Sequence, residues 1–132
     1  MKKIEVVRRG ELKAGYSTQG ILREKAFEAK NVLVSRSRVA GGVVSAWHHH
    51  GSRELYAFLL SGRLRLEYGP RGKRALELNP GDFFRIPPRL VHRDVNPEEK
   101  HGLVVVNILV GRGDPVVNVQ GPKGGRVRRT KR

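Results

Sequence analysis

Glycine and proline break the apolar runs of this 132-residue chain about every ten residues, and no segment between the breaks sustains a helical repeat. That rhythm restricts the chain to short strands. Residues 63–68 are the clearest case. Leu64, Leu66 and Tyr68 face one way, and Arg63, Arg65 and Glu67 the other. Gly69-Pro70-Arg71-Gly72 is a turn, so residues 74–78 are expected to return as a hairpin partner. Asn79-Pro80-Gly81-Asp82 is a second turn, which Asp82 is expected to serve through its own backbone. Residues 83–86 form a short strand stopped by Pro87-Pro88. Residues 32–39 and 103–110 read as strands, the latter central, and 116–119 as a final edge strand. A helical turn over 25–30 is the one competing local pattern. Many short strands make an all-β sandwich or barrel, and closing the sheet hides edges that would otherwise pair between molecules.

Composition narrows the chemistry. Lys and Arg number 27 against 12 Asp and Glu, a formal charge of +15. Six of the basic residues, Lys123, Arg126, Arg128, Arg129, Lys131 and Arg132, lie beyond Pro122 with no acidic residue among them. We therefore expect a barrel domain over residues 1–121 and a basic, disordered tail over 122–132. The remaining charge is scattered along strands, without a basic helix or an aromatic ladder for stacking bases. Nucleic acid is expected only through the tail. There is no cysteine, so imidazole and carboxylate are the donors left for a metal. No apolar run is long enough for a signal peptide or a membrane span, so a cytoplasmic protein is expected.

His48 and His50 are separated by one residue, so on a strand their imidazoles share a face and His49 takes the other. Glu54 follows closely. Extending the alternation of 63–68 backwards puts Glu54, Tyr56, Phe58 and Leu60 on the inner face, where a carboxylate needs a cationic partner. His92 lies in a segment punctuated by Pro87, Pro88 and Gly81 that can hold a strand in fixed register. Asp94 alternates with His92 and is expected either to accept from a ligand imidazole or to point at the metal side. Asn96 is expected to fix a turn, and His101 to be exposed.

These residues resemble the two motifs of the cupin superfamily. The first motif reads here as Gly42, five residues, His48-x-His50, three residues, Glu54, seven residues, Gly62. The second reads as Gly81, five residues, Pro87-x-Arg89, two residues, His92, three residues, Asn96. The interval from Glu54 to Gly62 is one residue longer than in the family, and Arg89 stands where the family has glycine. The resemblance implies a cupin-type jelly-roll β-barrel, a homodimer, and one divalent transition metal (Fe, Mn, Ni, Co, Cu or Zn) held by His48, His50, His92 and Glu54. A three-histidine site with Glu54 as outer acceptor or base is the alternative, given the extra residue.

Two of six metal positions would then stay open for a substrate. This favours a metal-dependent oxidoreductase of the dioxygenase type acting on a small organic molecule. Glu54 and Tyr56 are the catalytic candidates, and Phe58, Leu60 and one of Phe83 or Phe84 would line an apolar cavity. A metal-dependent isomerase or lyase on a sugar or sugar phosphate is a second class. In it Glu54 would move the proton, and Arg36, Arg38 or Arg85 would hold the anionic group. A non-enzymatic module binding a small ligand is the third.

Overall fold

The computed structural model describes residues 2–122. Its strands in chain order are β1 (Lys13–Ala14), β2 (Leu22–Glu28), β3 (Val32–Val39), β4 (His48–His49), β5 (Glu54–Ser61), β6 (Leu64–Tyr68), β7 (Arg74–Leu78), β8 (Phe83–Ile86), β9 (His92–Val95), β10 (Leu103–Val110) and β11 (Val117–Asn118). A 3-10 turn over Pro70–Gly72 joins β6 to β7. Two antiparallel sheets result, one ordered β1-β2-β3-β10-β5-β8 and the other β11-β4-β9-β6-β7. The expected all-β architecture is therefore present. β10 lies between β3 and β5, β7 returns on β6 with Leu64 opposite Leu78, and β11 closes an edge. The segment 25–30 is not helical: Leu22–Glu28 is a strand paired with β3, with a register shift between Lys25 and Phe27. The basic tail, apart from Pro122, lies outside the described residues. No helix among the described residues is long and apolar enough to cross a membrane.

The core forms where the inner faces of the two sheets meet. Leu33, Val39, Leu55, Leu59, Leu103 and Val105 come from the first sheet, and Leu64, Leu66 and Leu78 from the second. Each fully buried aliphatic side chain of this kind stabilises the fold by about 1.5–3 kcal/mol relative to exposure.

One irregularity decides which face of β5 points inward. Val104 pairs with Ser61 but Val105 pairs with Leu59, so Leu60 is an extra residue in the ladder. Gly62 follows with φ 82, and a Cβ there would stand 2.7 Å from the Gly102 carbonyl oxygen. Only glycine tolerates both the dihedral and the approach. The bulge shifts the alternation by one. Leu55, Ala57 and Leu59 are consequently buried, whereas Tyr56 and Leu60 are exposed and Glu54 and Phe58 are half-buried on the outer side. The alternation carried back from β6 thus places this strand's residues on the wrong face.

The turn before β9 departs from the glycine pattern without losing its shape. Arg89 adopts φ 62, a left-handed conformation that costs an L-residue roughly 1–2 kcal/mol. Its backbone N–H donates to the Gly51 carbonyl at 2.9 Å, which ties the turn to the segment just after His50.

Candidate metal centre

His48 and His92, far apart in sequence, are directly opposed residues of the antiparallel β4–β9 pair. His50 follows β4 on the same face. All three are buried, with 1%, 2% and 4% of the surface of His48, His92 and His50 accessible. The ring centroids are 4.3 Å apart for His48 and His92, 5.1 Å for His50 and His92, and 5.5 Å for His48 and His50. One nitrogen from each ring lies within 4.8 Å of the others.

The outer nitrogens fix the tautomer. Nδ1 of His48 lies 3.0 Å from the Ala46 carbonyl, that of His50 2.9 Å from Pro115, and that of His92 2.9 Å from Leu90. A carbonyl oxygen only accepts, so each Nδ1 carries the proton and donates. The lone pair is left on Nε2, which faces the common centre. Burial drives the imidazole pKa values down, well below the ordinary range for His48 and His50. The neighbouring imidazole of His92 adds to the effect on both. His92 is lowered chiefly by burial as well, opposed by the nearby Asp94. The rings are thus neutral near pH 7, the state a metal requires.

The cavity at this centre is small, about 20 Å³, which is room for about one water. His48, His50, Asp94 and Leu66 line it on one side, with Arg23, Ser35, Asn107 and Phe84 among the residues opposite. Asp94 Oδ1 stands 3.7 Å from His48 Nε2 and 3.9 Å from His92 Nε2, too far for hydrogen bonds. Asp94 Oδ1, His50 Nε2 and Ser35 Oγ are buried without any hydrogen-bond partner. The bare imidazole nitrogens and the Asp94 carboxylate oxygen line one space, and this nitrogen-and-oxygen donor set suits a divalent metal.

Two expected site residues are elsewhere. Glu54 lies on the outer face of β5, ion-paired with Arg85 through Nε at 2.6 Å and also through Nη2. Tyr56 lies on that face as well, paired in register with Arg85. Neither reaches the imidazoles, because the Leu60 bulge turns both away. Leu55, the next residue, lines the cavity where the carboxylate of Glu54 was expected. The cavity-lining aromatics are corrected in the same way: Phe84 faces inward, whereas Phe58 and Phe83 stack on each other outside at 4.7 Å. Arg36 is paired with Glu24 at 2.9 Å, and Arg38 lies exposed on the same outer face of β3.

Other expectations agree with the coordinates. Asn96 is buried and ties the turn, donating to the Val39 and His101 carbonyls and accepting from the Glu98 N–H. The Asp82 backbone N–H donates to the Asn79 carbonyl at 3.1 Å while its Oδ2 accepts from the Asn79 N–H at 2.8 Å, and His101 is exposed.

Sequence reasoning missed Arg23. This buried cation of β2 donates to Thr18 Oγ1 at 2.7 Å and to the Tyr16 carbonyl at 3.1 Å, and burial lowers its pKa to about 10. It also missed Asn107. The signal for that residue was present, since Leu103, Val105, Asn107 and Leu109 alternate inward and only one of them is polar.

The pattern described as the cupin domain matches residues 35–109, a span that contains the whole histidine cluster. The chain belongs to the cupin family. Solved structures agree with this cupin in fold. A protein with a double-stranded β-helix domain from Klebsiella pneumoniae subsp. pneumoniae MGH 78578 is 18% identical, with a TM-score of 0.69 over 90% of this chain and 98% of its own. The polyketide cyclase RemF from Streptomyces resistomycificus is 21% identical, with a TM-score of 0.72 over 89% of this chain and 86% of its own. A mutant of the oxalate decarboxylase of Bacillus subtilis is 19% identical, with a TM-score of 0.67 over 81% of this chain but only 30% of its own. At these identities the likeness is one of fold. No curated protein matches this cupin in sequence.

Proposed function

We propose that this cupin is a cytoplasmic metalloprotein that binds one divalent transition metal (Fe, Mn, Ni, Co, Cu or Zn) through His48, His50 and His92. We further propose that it acts as a dioxygenase-like oxidoreductase on a small organic substrate. The observation that carries the reading is the convergence of three buried, neutral imidazoles whose Nδ1 protons are all committed to backbone carbonyls. Those carbonyls hold the rings and direct the bare nitrogens inward. Leu55, Leu66, Phe84 and Ile86 keep bulk water from the centre. A bound ion would supply Lewis acidity, and a redox-active one also electron transfer with dioxygen. The Mn(II) centres named for the oxalate decarboxylase of Bacillus subtilis support manganese as one candidate.

The balance between oxidoreductase and isomerase or lyase turns on Glu54. The second class needs a side chain to move a proton, and the one expected to do so is ion-paired with Arg85 on the outer face. A non-enzymatic module that binds a small ligand is the third class. Oxygen-electrode assays of iron- and manganese-loaded protein with phenolic and β-dicarbonyl compounds discriminate the three. Uptake is the expected result. Anaerobic turnover of sugar phosphates would move the reading to the second class, and saturable binding without turnover to the third.

The cupin is also proposed to form a homodimer. Tyr56, Phe58, Phe83, Val106 and Ile108 make a continuous apolar groove on the outer face of the first sheet, where Phe83 is 79% exposed. A second copy of the same face, related by a two-fold axis, offers a like apolar surface to cover it. Sedimentation should give a dimer that Phe83→Glu dissociates; a monomeric parent at micromolar concentration would refute the pairing.

A further inference from the structure

The carboxylate expected to join the imidazoles sits on the other face of its strand, yet a different carboxyl group faces them. We infer that Asp94 is the fourth protein ligand of the metal, taking the place for which the sequence offered Glu54. This assignment rests on the metal reading above.

Four observations support it. First, two donors sharing a cation at about 2.1 Å lie about 3.0–4.2 Å apart, depending on the angle between them. The separations of Asp94 Oδ1 from His48 Nε2 and His92 Nε2, 3.7 and 3.9 Å, fall in that interval; the three imidazoles alone lie mutually within 4.8 Å, so ligation would bring the carboxylate closer to His50. Second, Asp94 Oδ1 is buried with no hydrogen-bond partner, an expensive state that ligation would relieve. Third, the position is built by the backbone. Asp94 N–H donates to Ser45 Oγ at 2.9 Å, and Ser45 N–H donates to the Asp94 carbonyl at 2.8 Å. The main chain is thereby pinned beside β4 while the side chain stays uncommitted. Fourth, His92 and Asp94 are two residues apart on β9, so one strand face presents both, as the His48 and His50 pair does on the opposing segment. Among the cavity-lining residues Asp94 carries the sole carboxyl group.

The test uses cobalt(II) as the probe with metal-free full-length protein, and compares the parent with Asp94→Ala, Asp94→Asn, Glu54→Gln and His48→Ala. Affinity is read by competition with a chelator, and the ligand field by visible absorption. Both Asp94 variants are expected to lose about 100-fold or more in affinity. That is at or above what an outer hydrogen-bond partner contributes, so the absorption must also change, which a purely supporting role would not produce. Glu54→Gln is expected to leave both readouts as in the parent. Urea midpoints of the metal-free proteins confirm that the variants are folded, and Asp94→Asn preserves shape should alanine perturb the cavity. Parental affinity and spectrum in both Asp94 variants, with binding still lost in His48→Ala, would overturn the assignment alone. A parent that binds no cobalt would overturn it together with the metal reading.

Discussion

Replacing His48 with alanine is expected to abolish metal retention by the purified protein and to lower cobalt or zinc affinity by about 1,000-fold. The estimate follows from dividing a typical site energy of roughly 10–16 kcal/mol among three or four donors, with about 4 kcal/mol corresponding to a thousandfold change. His48 is the most buried of the three rings and is directly paired with His92 across β4 and β9, so its loss removes a donor that no neighbour can replace. The thermal signature should be equally clear. At a free metal concentration 1,000 times the dissociation constant, the parent gains about 4 kcal/mol, or roughly 12 °C in melting temperature for a domain of this size. His48→Ala should gain only about 0.4 kcal/mol at that concentration. Elemental analysis of protein purified without a polyhistidine tag, alongside melting curves with and without metal, checks both outcomes. Metal retained at the parental level in the variant would place the binding site elsewhere.

Acid is expected to unfold the metal-free protein through the same three rings. Burial lowers their pKa values in the folded state, whereas in the unfolded chain they titrate near the ordinary histidine value. Below pH of about 6.5 the unfolded chain therefore binds protons that the folded one refuses. The stability these groups contribute is complete above that pH and is lost as pH falls toward the folded values. Each imidazole can contribute a slope of up to about 1.4 kcal/mol per pH unit, so three can remove about 4 kcal/mol per unit. A domain stable by 5–15 kcal/mol has little margin against such a slope between about pH 6.5 and 4. Bound metal should shift the transition to lower pH, since it occupies the nitrogens that protons would take. Urea midpoints at pH 7, 6 and 5 measure the effect, with His92→Gln as a variant of reduced slope. A flat profile across that range in the metal-free parent would contradict the charge assignment.

The parts of the structure that were legible in the sequence are those set by short-range periodicity. The hairpin of β6 and β7 follows from alternation and a glycine-bounded turn, and the shared face of His48 and His50 follows from a step of two residues. The choice of face on β5 was not legible, because it was carried through eight residues and a bulge that only the pairing with β10 reveals. Glu54 and Tyr56 were misplaced for that single reason. The extra residue between Glu54 and Gly62 did mark the spot, but an irregularity in spacing does not say which side chain it re-aims. The role of Asp94 was left open by alternation; its Oδ1 stands 3.7 and 3.9 Å from the Nε2 atoms of His48 and His92, beyond hydrogen-bond reach, which disfavours the reading as an imidazole acceptor. Arg23 had no signal at all: on strands that carry basic residues outward throughout, one arginine aimed inward looks like any other.

The strand that carries the first imidazole is held in the second sheet by few ladder pairs. β4 shares one residue pair with β9 and two with β11, and β11 is itself only two residues long. Any opening of this edge, which must also break the Ser45–Asp94 and Arg89–Gly51 backbone bonds, separates His48 and His50 from His92. The strength with which the protein holds an ion is thus coupled to how often this edge detaches, and apparent affinity falls in proportion to the closed fraction. Substitutions at Val117 or Asn118, which touch no donor atom, would then tune ion release by loosening the latch.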